Sequence, residues 1–190
     1  MGQQPPAPPP AQQPMAPGGS AGTPTTPQGQ PLAEWWKRLV AAIIDGFIVG
    51  IPANILGGII FSGLFAATTP TFNPQTGQIE GGGGFFAGIL ASYGAFLLTY
   101  LIITAAYYII LHSKKGQTVG KMAMKIKVVD EATGDLIPIG KSAMRWVVTQ
   151  ALSLFTCGIG GLLDGLWPLW DAKRQAIHDK VAKTFVIDAP

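Results

Sequence analysis

FFAGILASYGAFLLTYLIITAAYYIIL, residues Phe85 to Leu111, carries no charged side chain over 27 positions. A helix rising about 1.5 Å per residue takes such a run across about 30 Å of hydrocarbon, so this stretch reads as a transmembrane helix. Upstream, Leu39 to Ala66 repeats the pattern with one charge, Asp45. Small residues recur every fourth position in both runs: Ala42, Gly46, Gly50, Asn54, Gly58 and Ser62 in the first, Ala87, Ala91, Ala95 and Thr99 in the second. Such stripes let backbones approach and predict a tight antiparallel helix pair, with a kink at Pro52. The intervening Thr68 to Gly84, rich in Thr, Pro, Gly and Asn, reads as a polar loop whose only charge is Glu80.

Composition agrees with a bilayer. Of 190 residues, 48% are hydrophobic and 12% charged, against about 25% charged in soluble domains. The net charge of +3 gathers in short stretches beside apolar runs, the pattern of membrane orientation rather than of nucleic-acid binding. A single cysteine, Cys157, excludes an internal disulfide and a Cys-based zinc site; its apolar surroundings predict a buried small side chain. Met1 to Ala33 is dominated by Pro, Gln, Gly and Ala, which reads as a disordered head. Without a basic residue or an apolar core it is not a secretory signal. It serves as a solvated spacer or as a docking segment for a proline-recognising protein partner.

His112 to Arg145 holds seven Lys or Arg against three acidic residues. Lys125-Ile126-Lys127-Val128 alternates as a strand does, and Thr133-Gly134-Asp135 supplies a turn, predicting a short β-hairpin at the membrane surface beside anionic lipid. A third apolar run, Trp146 to Trp170, contains Asp164 and a glycine-rich interruption. The loop without basic residues belongs outside and the basic one in the cytoplasm, which also places the N-terminus in the cytoplasm. A third full crossing would carry Lys173, Arg174, Lys180 and Lys183 outside, against that rule. The alternative is a re-entrant hairpin broken at Gly158 to Gly161, with Trp146, Trp167 and Trp170 at one interface; it is preferred slightly over a full span.

Arg38 and Asp45, seven apart, share a helix face, with the carboxylate about 10 Å deeper. A carboxylate at that depth must be paired, hydrated or protonated, and marks either an ion or proton pathway or a structural lock. Tyr100 and Thr104 should reach its depth from the second span; Tyr107 and Tyr108 read as interface anchors. Asp164 and His178 beside Asp179 are secondary candidates, and one His with one carboxylate is too little for a metal site. No phosphate loop, zinc-protease motif or nucleophile elbow occurs, so neither an enzyme nor a cofactor is expected.

Trp36-Lys37-Arg38 with Asp45, then Gly116-Gln117-Thr118-Val119-Gly120-Lys121, then Trp170-Asp171-Ala172-Lys173-Arg174-Gln175-Ala176-Ile177-His178-Asp179-Lys180 together resemble the RDD family of bacterial membrane proteins over about residues 34–187. The arginine and two aspartates that name the family match Arg38, Asp45 and Asp179, with Asp171 the less favoured second aspartate. The resemblance implies a bacterial inner-membrane protein for which a transport role is proposed in some members.

The expected fold is an all-α membrane protein. It comprises a disordered head (1–33), a membrane domain (34–187) with spans near 39–66, 85–111 and 146–170, the last transmembrane or re-entrant, a short cytoplasmic β-hairpin, and a terminal 188–190. Two functions compete: a homo-oligomeric, transport-related protein handling cations or protons, and a non-catalytic scaffold recruiting partners through the head.

Overall fold

A computed structural model describes residues 24–81 and 84–189. The first apolar run forms one helical rod, α1 (Trp35–Asp45), a π-helical turn (Gly46–Gly50) and α2 (Ile51–Thr68). The wide turn lies just before Pro52, where a ring would crowd the carbonyl four residues back and leave it without a donor. An enlarged turn relieves that conflict, so the irregularity expected at the proline appears one turn earlier. The second run forms α3 (Phe85–Lys115), which ends on a left-handed Gly116 with φ 69°. Trp35–Thr68 and Phe85–Lys115 are long and apolar enough to cross a membrane. Their outward faces are what lipid requires: Phe86 is 80% and Leu90 73% exposed.

The two helices pack together along a line one residue away from the expected stripes. Ala41, Asp45, Val49, Ala53 and Gly57 are the buried positions of the first, Gly88, Ser92, Thr104 and His112 those of the second. A Cβ on Gly57 would stand 2.9 Å from the Phe96 ring and one on Gly88 2.1 Å from the Thr68 hydroxyl, whereas Gly46, Gly50 and Gly58 meet nothing. Polar Asp45, Ser92, Thr104 and His112 must face protein, and they rotate the small-residue stripes outward.

The third apolar run is broken. α5 (Ile139–Phe155) and α6 (Ile159–Leu166) flank a turn at Thr156 to Gly158, where Cys157 and Gly158 have φ of 51° and 90°. The break thus precedes most of the glycine run, and the first arm starts at Ile139 rather than at Trp146. Gly160 and Gly161 instead let α6 lie against α5: their Cβ atoms would fall 2.6 Å from the Leu152 carbonyl and 2.3 Å from the Ser153 hydroxyl. Cys157 is exposed at the turn, not buried as expected.

Ile126–Asp130 is a strand, β3, yet its partner is β4 (Thr184–Asp188), antiparallel, with Val128 opposite Val186. The predicted local hairpin does not form. Residues 130–135 close a tight turn, Gly134 donating to the Asp130 carbonyl at 2.9 Å, and Pro138 then starts α5. Only the distant β4 offers apolar residues for both faces: Ile126, Val128 and Val186 pack with Ala33, Ala41 and Ile137, while Val129, Phe185 and Ile187 pack with Leu32. The main apolar core therefore sits at this sheet, at the end of the bundle where α1 begins.

The loop between the long helices contains a hairpin, β1 (Thr71–Asn73) with β2 (Gln78–Glu80). The head, read as disordered to Ala33, is anchored near its end: Thr26, Leu32 and Ala33 are buried, Ala33 donates to the Val186 carbonyl and Asp188 to the Pro31 carbonyl, both at 2.9 Å. These residues extend the edge of β4, a use of backbone that composition does not reveal. The disorder expected for residues 1–23 lies outside the described residues. Also among the described residues are a 3-10 turn (Trp167–Leu169) after α6 and two short helices, α4 (Val119–Ala123) after α3 and α7 (Ile177–Ala182) before β4.

Candidate functional site

Asp179, near the start of α7, is wholly buried. It accepts from Arg38 Nη1 of α1 at 2.7 Å, from Arg145 of α5, and from the Ala176 amide at 3.0 Å. Burial alone would push its pKa up, but Arg145, His178 and Arg38 hold it well below the ordinary carboxylate value. Arg145 also bonds the Thr184 hydroxyl, and its Nη2 lies 3.0 Å from His178 Nε2. The other ring nitrogen, His178 Nδ1, is 2.5 Å from Asp164 Oδ2, and the His178 amide donates to Asp164 Oδ1 at 2.9 Å. Four elements (α1, α5, α6 and α7) are thereby tied by one chain of charges.

Asp45 forms a separate cluster. It accepts from the Tyr107 hydroxyl at 2.7 Å, the Thr118 hydroxyl at 2.6 Å and the Gly120 amide at 2.7 Å. Thr118 caps α4, so the carboxylate pins this helix against α1. The approach is close enough that a Cβ on Gly120 would stand 2.1 Å from the Ala41 carbonyl oxygen. Lys121, next along, has its ammonium 2.8 Å from His112 Nε2. Burial lowers its pKa to about 7, Arg145 adding repulsion against the attraction of Asp179 and Asp45.

Both clusters line one cavity of about 540 Å³. Arg38, His112, Lys121, Arg145, Asp164 and His178 form its charged end, while Leu39, Trp146, Leu162 and Leu166 are among its apolar walls. Tyr100 and Thr104 lie at the deeper end: on α3, Tyr100 is 12 residues, or about 18 Å, from His112. Among the described residues no group of three His, Cys, Asp or Glu is placed to hold a metal ion.

The model of the RDD family matches residues 32–183. The chain belongs to the RDD family. It is similar to the proline-rich antigen of Mycobacterium leprae, 31% identical over 157 residues that make up 79% of this chain and 58% of that one. The proline-rich antigen homolog of Mycobacterium tuberculosis is likewise 31% identical, over 80% of this chain and 62% of its own length. The chain thus spans about three-fifths of these mycobacterial relatives. From Bacillus subtilis, uncharacterized protein YxaI is 32% identical over 82% of this chain and 96% of its own, and uncharacterized membrane protein YteJ is 25% identical over 82% and 80%. No solved structure matches.

In this RDD membrane protein Arg38 and Asp179 meet directly, whereas Arg38 and Asp45, expected to share a face, have different partners and meet only as walls of the cavity. Tyr100 and Thr104 line the cavity without bonding Asp45; the Thr104 hydroxyl turns back to the Tyr100 carbonyl at 2.8 Å. Asp164 and His178 join the charged chain. Asp171 stands apart, bonded to Lys180 and accepting from the Gln175 amide at 2.9 Å. Sequence reasoning missed Tyr107, read as an interface anchor, and Arg145, Thr118, His112 and Lys121. Arg145 had one signal, an arginine heading an apolar run. The glycines of Gly116-Gln117-Thr118-Val119-Gly120-Lys121 had another, for Gly116 ends α3 and Gly120 admits the close contact.

Proposed function

We propose that this RDD chain is a non-enzymatic, transport-related protein of the bacterial cell membrane whose charged cavity receives a charged species at the cytoplasmic boundary. The observation that carries this reading is the cavity of about 540 Å³, walled by Arg38, Lys121, Arg145, Asp164 and His178 between helices apolar enough to span. The proposed topology has a cytoplasmic N-terminus, two full crossings and a hairpin, α5 with α6, entering from the cytoplasmic face. Its supports are the Lys and Arg asymmetry and the β3–β4 pairing, which sets the C-terminal strand beside the basic segment. A homo-oligomer accords with the broad apolar faces left on both long helices.

Proton handling draws support from His178, poised between Asp164 and Arg145. Cation handling draws less: Asp45 already accepts three hydrogen bonds, and both oxygens of Asp164 are engaged by His178. Proteoliposomes carrying an internal pH dye test the reading. Ion or proton flux above that of empty vesicles, lost in a folded His178→Asn variant, is the expected result; no flux for protons, alkali cations or organic anions refutes it. The scaffold reading is favoured by one observation, that Asp45 acts as a fully bonded lock on α4. It calls for a protein bound through the head, recovered with the full chain and lost when residues 2–23 are deleted.

A further inference from the structure

The buried polar atoms left without partners around the cavity are all donors. Arg38 Nε, Arg145 Nε and Trp146 Nε1 are enclosed and bond nothing among the described residues, and all three residues line the cavity. Arg145 is 2% exposed, so its idle N–H has no bulk water to turn to. The Lys121 ammonium beside them hydrogen-bonds only the His112 ring and pairs directly with no carboxylate among the described residues. Both cavity carboxylates, by contrast, are engaged by donors. What is missing from this end of the chamber is a group rich in acceptors and negative charge.

The rest of the cavity is mostly apolar, with Tyr100, Thr104, Thr149 and Gln150 as polar exceptions beside Asp45. Leu39, Ala42, Leu162 and Leu166 flank it, and Leu39 and Leu162 are 43% and 65% exposed, open to lipid in the proposed topology. The chamber extends from the charged end at His112 to Tyr100, about 18 Å deeper along α3. An oxyanion seated at the charged end would stand at the depth where headgroups stand, with an apolar trough leading from it into the hydrocarbon.

We propose that this cavity is a binding site for one anionic phospholipid, its phosphate held by Lys121 with the idle donors of Arg38, Arg145 and Trp146 turned toward it from their enclosed positions, and one acyl chain laid along Leu39, Leu162 and Leu166. This deepens the preceding proposal by naming the ligand class, and rests on it only in taking the cavity to be a ligand chamber. Bound lipid is then either the transported species or a fixed component of the chamber.

The test is lipid retention by the purified full chain, from nanodiscs of equal phosphatidylglycerol and phosphatidylcholine, read by native mass spectrometry after delipidation to the last bound molecule. One phosphatidylglycerol per chain is expected in preference to phosphatidylcholine. Lys121→Gln should weaken retention about tenfold, the loss of one charge-assisted contact. Ala42→Phe, which fills the trough and leaves every charge in place, should abolish it, and the surface variant Lys173→Gln should change nothing. Circular dichroism confirms folding of each. Equal retention of the two lipids, unaltered retention in Ala42→Phe, or displacement by millimolar inorganic phosphate, which would mark a site for the free anion, each overturns the proposal. Retention without ion flux refutes ion transport and leaves the lipid site standing; ion flux without retention does the reverse.

Discussion

Replacing Asp179 by asparagine removes the one carboxylate that faces two buried guanidinium groups. The side chains of Asp179, Arg145 and Arg38 are 0%, 3% and 12% exposed, so water cannot take over the lost partner. Breaking a buried ion pair from one side costs about 3–5 kcal/mol. With about 2–4 °C of midpoint shift per kcal/mol for a chain of this size, Asp179→Asn should unfold about 6–20 °C lower in detergent, followed by loss of the monodisperse peak on heating. Asp188→Asn is the matched control. Asp188 pairs with Lys37 at 2.7 Å, but both side chains are more than a fifth exposed, and such a pair is worth about 0–1 kcal/mol. The two variants separating by less than 3 °C, about one kcal/mol at this size, would refute Asp179 as the electrostatic centre of the fold. The pH dependence carries the same sign. Asp179 has its pKa depressed in the folded state, so its contribution is present above the unfolded value of about 3.9 and is lost only as pH falls through the lower folded value. Asp179→Asn should lack that acid limb.

Deleting residues 2–23 should leave the melting midpoint unchanged, while deleting 2–33 should lower it, because Leu32 and Ala33 then leave the core and β4 loses its edge contacts; equal midpoints would overturn the account of this segment. Single cysteines at Thr76, Thr133 and Ala189, in a chain with Cys157 replaced, should label from outside for the first and from the cytoplasm for the other two, since β4 runs beside β3. Opposite sides for Thr133 and Ala189 would rule out the hairpin topology. Lys121, drawn down to about 7 by burial and Arg145, should gain amine reactivity as pH rises through 7. Between there and the unfolded value of about 10.4 the unfolded chain holds the extra proton, so this group makes stability increase with pH. A reactivity rise only near 10 would show that the ammonium is not enclosed.

Membrane character, the two long helices and the break in the third apolar run were legible because each is a property of consecutive residues: runs free of charge, and glycines that interrupt a helix. So was the need for a partner at Asp45, since burial of a charge at that depth is a local cost. Its identity was not. Thr118 and Gly120 lie 73 and 75 residues away in sequence, and nothing in residue 45 distinguishes an arginine partner from hydroxyls and an amide. The stripes of small residues failed for a related reason. Periodicity shows which residues share a face, but not which face meets protein; Asp45, Ser92, Thr104 and His112 settled that by turning inward together. The strand at Ile126 was visible in its alternation, and its partner was not, because pairing is decided by which distant segment buries apolar side chains on both faces of the sheet. What must be kept from water is written in the order of residues; which distant residues meet that demand together is set by folding, because hydrogen bonds and ion pairs form between neighbours in space whatever their separation along the backbone.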